Sequence, residues 1–235
     1  MNNEDFLQIV SYSFIEFLRT SARSNKKLKI LHGAIANDIK NKLGDGYNVY
    51  SLGYGNGKEA IINGRYIDKR VDIVISKDRN ILAGIGVKFV MNNYSQNSNN
   101  YFESMLGETA NIRANKKKYF QIFIMPEKVP YYNNRGEITK WEQVTIHNID
   151  KYVKLSNDNA DVFFHTPIKT LIFIIKLPNP DNSITNKEQY KKYYLSIGDI
   201  KSELSTNISN NFGETVILND YEDFIKKLVF YIKSI

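Results

Sequence analysis

Cysteine is absent from this 235-residue chain. That excludes disulfides, thiolate zinc sites and a thiol nucleophile, and leaves oxygen as the expected donor to any bound metal. Histidine is nearly as scarce. His32, His147 and His165 are too scattered to form an evident ligand set, and each reads as structural. No apolar run approaches the roughly 18 residues of a membrane span. MNNEDF is polar and acidic where a secretory leader would carry a basic segment. These absences lead us to expect a cytoplasmic protein of the bacterial intracellular kind, with no membrane partner. What is present is a core-forming composition, 42% apolar and 13% aromatic, which excludes wholesale disorder. The net charge of +7 is compatible with an anionic partner but does not by itself imply one.

Hydrophobic periodicity predicts a mixed α/β chain of one domain over 1–235. Helices are expected over Phe6 to Arg19 and Lys27 to Leu43, the second with Leu28, Leu31, Ile35 and Ile39 on one face. A basic patch from Arg19 to Lys29 separates them. Tyr47 to Leu52 alternates like a strand, and Gly53 to Gly57 reads as a turn. Lys58 to Ile62 and Arg65 to Ile75 read as strands joined by a two-residue Asn63-Gly64 hairpin. After a polar turn, Ile81 to Met91 reads as a strand buried on both faces. Asn92 to Asn100 reads as a polar loop, Tyr101 to Asn115 as a helix and Tyr119 to Met125 as a strand. That succession has the length of a crossover between parallel strands. Further on, we expect strands at Glu137 to Ile146 and Leu171 to Leu177. Helices are expected from about Ile149, over Lys187 to Leu204 and over Tyr221 to Lys233.

Two charged residues interrupt apolar strands: Asp72 within Val71 to Ile75, and Lys88 within Ile85 to Val90. A charge in a central strand is costly unless paired or metal-bound. One reading is a buried Asp72–Lys88 ion pair; the other is a shared site. The segments Arg70-Val71-Asp72-Ile73-Val74-Ile75 and Ala83-Gly84-Ile85-Gly86-Val87-Lys88-Phe89, followed by a helix and a parallel strand, resemble the PD-(D/E)xK nuclease superfamily, which includes most type II restriction endonucleases. The resemblance covers about residues 26–125 and implies a restriction-endonuclease-like core with a central mixed β-sheet flanked by helices. Residues 126–235 would be a C-terminal extension packed on it.

The resemblance further implies Mg²⁺ held by Asp72 and the Val87 carbonyl, and catalytic work at Asp72, position 86 and Lys88. It implies double-stranded DNA as substrate, a homodimer, and a cognate DNA methyltransferase as partner in restriction–modification. The family places Glu or Asp two residues before the Lys, whereas this chain has Gly86. Three explanations stand. Gly86 replaces a native Glu and inactivates the enzyme; or an acid has migrated to Glu103 or Glu108 on the next helix; or the chain is a pseudonuclease that binds DNA without cutting. Under each, the chain as written should hold metal weakly and cut slowly or not at all. Glu103 and Glu108 lie about 140° apart on a helix, so at most one reaches the site. Asp38 and Glu59 are further candidate carboxylates. Asn92, Asn93, Gln96, Asn97, Asn99 and Asn100, in the segment after the Lys88 strand, are candidate base or phosphate contacts. Lys69 and Arg70, with Lys26, Lys27, Lys29 and Arg65, are candidate phosphate contacts.

Overall fold

A computed structural model describes residues 1–20, 24–180, 183–209 and 211–235. The centre of the basic patch and part of the Pro-Asn-rich segment after Leu177 therefore lie outside the described residues. The observed class is the expected one, a mixed central sheet with helices on both faces. The elements are α1 (Asn3–Arg19), α2 (Lys26–Leu43), β1 (Tyr47–Ser51), β2 (Ala60–Ile62), β3 (Lys69–Val71), β4 (Ile73–Lys77), β5 (Asn80–Phe89) and α3 (Tyr94–Arg113). There follow β6 (Lys118–Pro126), β7 (Lys128–Tyr132), β8 (Ile138–Gln143), α4 (Ile146–Ser156), β9 (Thr170–Lys176), α5 (Lys187–Ile197), β10 (Glu203–Leu204), β11 (Val216–Leu218) and α6 (Tyr221–Lys233).

The sheet runs β1-β4-β5-β6-β9-β10, with β11 also on β9. β4 and β5 form the expected antiparallel hairpin. Its turn residues Asp78 and Arg79 both have positive φ, the backbone hand that matches strand twist. β5, β6 and β9 are parallel, and α3 makes the crossover from β5 to β6. Residues beyond 125 thus complete the sheet as well as pack on it.

Alternation along the strands builds two large cores and a smaller third cluster of Ile62, Val71, Val74, Ile112 and Tyr119. Ile85, Phe120, Ile122, Ile124 and Phe173 pack toward α1, α2 and α6, while Phe123, Met125, Ile172 and Ile174 pack toward α3 and α4. Each fully buried side chain of this size contributes about 1.5–3 kcal/mol. Phe6 of α1 stacks on Tyr221 of α6 at 3.9 Å between ring centroids. Among the described residues, no helix is long and apolar enough to cross a membrane.

Four expectations need correction, two of them explained by local helix caps and two by tertiary contacts. α1 starts at Asn3 because Asn2 and Asp5 form a reciprocal capping box. α3 starts at Tyr94, so most of the predicted loop 92–100 is helix. The Asn93 side chain brackets the backbone N–H and C=O of Tyr132, and the buried Tyr94 ring anchors the first turn. Packing there outweighs the poor helix propensity of Asn. α5 stops at Ile197, where Gly198 is its C-cap with φ of 77°, and the chain returns as β10.

The fourth correction concerns β2 and β3. The chain between them is not a two-residue turn but the loop 63–68, and the long predicted strand breaks at Asp72 into β3 and β4. The Asn111 side chain holds this loop: its Oδ1 accepts from the Tyr66 and Ile67 N–H groups, and its Nδ2 donates to the Ile67 carbonyl. Replacing Asn111 by Ala should cost about 2 kcal/mol, since three hydrogen bonds made by a buried side chain are lost together. Hydrogen exchange at the Tyr66 and Ile67 amides reads the effect directly. Unchanged protection there would show that the loop is held by other contacts.

Candidate functional site

Asp72 sits at the bend between β3 and β4, beside the point where β5 turns its even-numbered residues toward α3. Its Oδ2 accepts from the Val87 N–H at 2.7 Å, and the Ser51 hydroxyl donates to its backbone carbonyl at 2.8 Å. Burial pushes the Asp72 carboxyl above its ordinary range, against the opposing pull of that N–H and of Lys88 and Lys69. Lys88 is exposed, unlike the buried Lys expected from the strand pattern, and its Nζ lies 4.4 Å from the Tyr101 ring centroid. Val87 and Phe89 point into the opposite core as expected.

A cleft of about 440 Å³ runs between β5, β6 and α3. Asp72, Gly86 and Lys88 line it together with Asn100, Tyr101, Ser104, Glu108, Tyr119 and Gln121. The sequence-predicted pair therefore does converge on a shared surface. So does one of the two candidate migrated acids: Glu108 faces the cleft, with Oε1 accepting from the Tyr119 hydroxyl at 2.8 Å and Oε2 at 3.6 Å from Lys69 Nζ. Glu103 is exposed on the flank of α3, where its charge acts on Lys151.

Position 86 is filled from across the sheet. A Cβ built on Gly86 would lie 2.3 Å from the Tyr119 hydroxyl and 2.6 Å from Gln121 Oε1. Gln121 is the direct register partner of Gly86 on β6. The buried Tyr119 ring cannot swing away as a surface side chain would.

The other candidates are dispersed. Asp38 is a structural clasp, accepting from the N-terminal ammonium at 2.8 Å, from Lys42, and from the Tyr221 hydroxyl at 3.0 Å. It lies six residues beyond His32 on α2, about 240° around the helix, so it cannot share the Asp72 side. Asn93 is committed to β7, Asn97 donates to the Asn93 carbonyl, and Asn99 accepts from Lys151. Asn92 lines a different cavity of about 420 Å³, beside Arg19 and Tyr190. Gln96 accepts from Asn93, leaving Asn100 as the member of the six that reaches the cleft. Arg70 is exposed, as are Lys26 and Lys29 on the first turns of α2, while Lys27 donates to the Ser24 carbonyl.

Sequence reading passed over His32, yet the fold brings it to Asp72, with Nδ1 3.9 Å from Oδ1. Its approach depends on Gly33, whose missing side chain lets the Gly53 carbonyl come within 2.6 Å of where a Cβ would stand. Glu59 completes a group of three: ligand atoms of His32, Glu59 and Asp72 all lie within 4.8 Å of one another. Burial raises the Glu59 carboxyl, and the Asp72 charge adds to the rise while Arg70 opposes it. A signal was available in the sequence: a polar His32 beside Leu31 and three residues before Ile35 sits on the apolar stripe of α2.

No family model matches the chain, and no curated protein matches it. Among solved structures, a match is the small subunit (R.BspD6I2) of the heterodimeric restriction endonuclease R.BspD6I, with a TM-score of 0.34 and 9% identity, covering 95% of this chain and 89% of that one. At that distance the likeness assigns neither fold nor activity.

Proposed function

We propose that this chain is a nuclease that hydrolyses DNA phosphodiesters with the help of a divalent cation. The observation that supports this reading best is the convergence of Asp72, Lys88 and Glu108 on one open cleft, assembled from β5, β6 and α3. Carboxylates and a cation around a groove are what an anionic phosphate and an attacking water require. The residues fit a divalent ion: the Asp72 carboxylate has its Oδ1 turned away from the Val87 N–H, with Glu59 and His32 as neighbouring donors. When bound, such an ion would lower the pKa of its water and offset charge on the leaving oxygen.

The chain's own groups divide the remaining work. Lys88, with its ammonium free to extend from the Tyr101 face, would orient the attacking water and offset charge on the pentavalent phosphate. Glu108 would hold the carboxylate position that Gly86 leaves vacant, positioned by Tyr119 and Lys69. The loop 63–68 presents exposed Tyr66 and Ile67 beside Arg65, Lys69 and Arg70, a mixture of aromatic and cationic groups suited to a nucleic-acid backbone and its bases. Cutting both strands of a duplex would call for a two-fold homodimer, and a restriction role would call for a methyltransferase of the same specificity.

The full-length chain incubated with supercoiled plasmid should nick or linearise it in the presence of Mg²⁺ or Mn²⁺, and EDTA should stop the reaction. Glu108→Gln should lower the rate about 10²-fold. Salt-sensitive DNA binding without metal dependence, and intact DNA over varied sequences, would instead identify a binding module.

A further inference from the structure

We propose that His32, Glu59 and Asp72 form a binding site for a divalent ion of the first transition row, taken in preference to Mg²⁺. The inference deepens the reading of the Asp72 region as a metal-dependent site, and rests on that reading for the use to which the ion is put. The binding itself stands on geometry.

Three donors arrive from three separate elements: the buried face of α2, the segment leading into β2, and the β3–β4 bend. Their ligand atoms lie within 4.8 Å of one another, and His32 Nδ1 is 3.9 Å from Asp72 Oδ1. Around one ion, with metal–ligand bonds of about 2.0–2.2 Å, two ligand atoms stand about 3–4 Å apart. The cluster therefore needs only a small contraction.

A second observation points to a ligand independently of the carboxylates. His32 is 1% exposed, and neither ring nitrogen has a hydrogen-bond partner. Buried polar atoms in folded proteins are almost always partnered, so an orphan imidazole beside two carboxylates calls for an ion.

The donor chemistry sets the class of ion. Mg²⁺ favours an all-oxygen shell with several retained waters. One imidazole and two carboxylates suit Mn²⁺, Fe²⁺, Co²⁺ or Zn²⁺. The absence of cysteine from the chain therefore does not confine a metal here to oxygen donors. Asp72 stands at the border of this cluster and the Lys88–Glu108 cleft, its Oδ2 on the Val87 N–H and its Oδ1 toward His32.

Mn²⁺ titrated into the full-length chain and followed by loss of the free-ion electron paramagnetic resonance signal should show one ion bound per chain. Competition should show Mn²⁺ held at least tenfold more tightly than Mg²⁺. His32→Asn and Glu59→Gln should each weaken Mn²⁺ binding by about 10- to 100-fold. Glu103→Gln, on the exposed flank of α3, should leave it unchanged. Because His32 is buried, thermal melting accompanies its variant; if that protein does not fold, the partly exposed Glu59 decides. Absence of stoichiometric binding, equal competition by Mg²⁺, or wild-type affinity in Glu59→Gln would each overturn the proposal. Plasmid cleavage separates the two readings. Mn²⁺ binding that depends on Glu59 without cleavage would sustain this site and remove the nuclease reading. Cleavage in Mg²⁺ by a chain that shows no stoichiometric Mn²⁺ binding would do the reverse.

Discussion

A Gly86→Glu chain should be less stable than the wild type by about 3 kcal/mol and should gain no DNA cleavage. The added Cβ meets the Tyr119 hydroxyl at 2.3 Å and Gln121 Oε1 at 2.6 Å, both well inside contact distance. Overpacking of this kind typically costs about 1–3 kcal/mol. The new carboxylate would also enter a site where Glu108 already accepts the Tyr119 hydrogen bond, so like charges meet. Urea denaturation measures the loss. Adding Tyr119→Phe, which removes the nearer of the two clashing atoms, should recover about half of it and so identify the cause. If Gly86→Glu instead folds with wild-type stability and begins to cut plasmid, the glycine is a lesion in an otherwise intact site, and Glu108 is not the substitute acid.

The second large effect belongs to Lys88. Replacing it by Met should lower the cleavage rate of the proposed nuclease by about 10²–10³-fold, the usual loss when a group stabilising developing charge is removed. The Met side chain keeps the apolar stem over Tyr101 and gives up only the ammonium. Stability should therefore change by less than about 1 kcal/mol, the size of an exposed cation–π contact. Comparing single-turnover cleavage with DNA affinity at fixed salt separates chemistry from binding. A proportionate fall in affinity with no further loss of rate would make Lys88 a phosphate anchor rather than a participant in the reaction.

The glycine and lysine experiments address the three explanations that the sequence left open at position 86. A substituted Glu, a migrated acid and a binding-only fold are indistinguishable as strings of letters. They differ in what occupies the space beside β5. Tyr119 reads in sequence as the first apolar residue of a strand, and nothing in that pattern places its hydroxyl under Gly86. The parallel register of β5 and β6 does so, by setting Gly84 opposite Tyr119 and Gly86 opposite Gln121.

Local pattern alone determined a good deal. The α/β class, the β4–β5 hairpin, the crossover through α3, the limits of α6 and the isolation of Asp72 and Lys88 in apolar strands were all legible. Each follows from a spacing of two or of three to four residues, a property the chain carries before it folds. The early start of α3 and the loop 63–68 were not legible, because distant groups such as Tyr132 and Asn111 stabilise them. The same holds for the site. Histidine is too rare here to form a motif, so His32 looked structural until α2 brought it to Asp72 and Glu59. Asp38 looked equally available until the fold committed it to the N-terminus, Lys42 and Tyr221. Sequence determined which residues could carry chemistry. Tertiary structure decided which of them meet, because side chains far apart in the chain are brought within bonding distance only by packing.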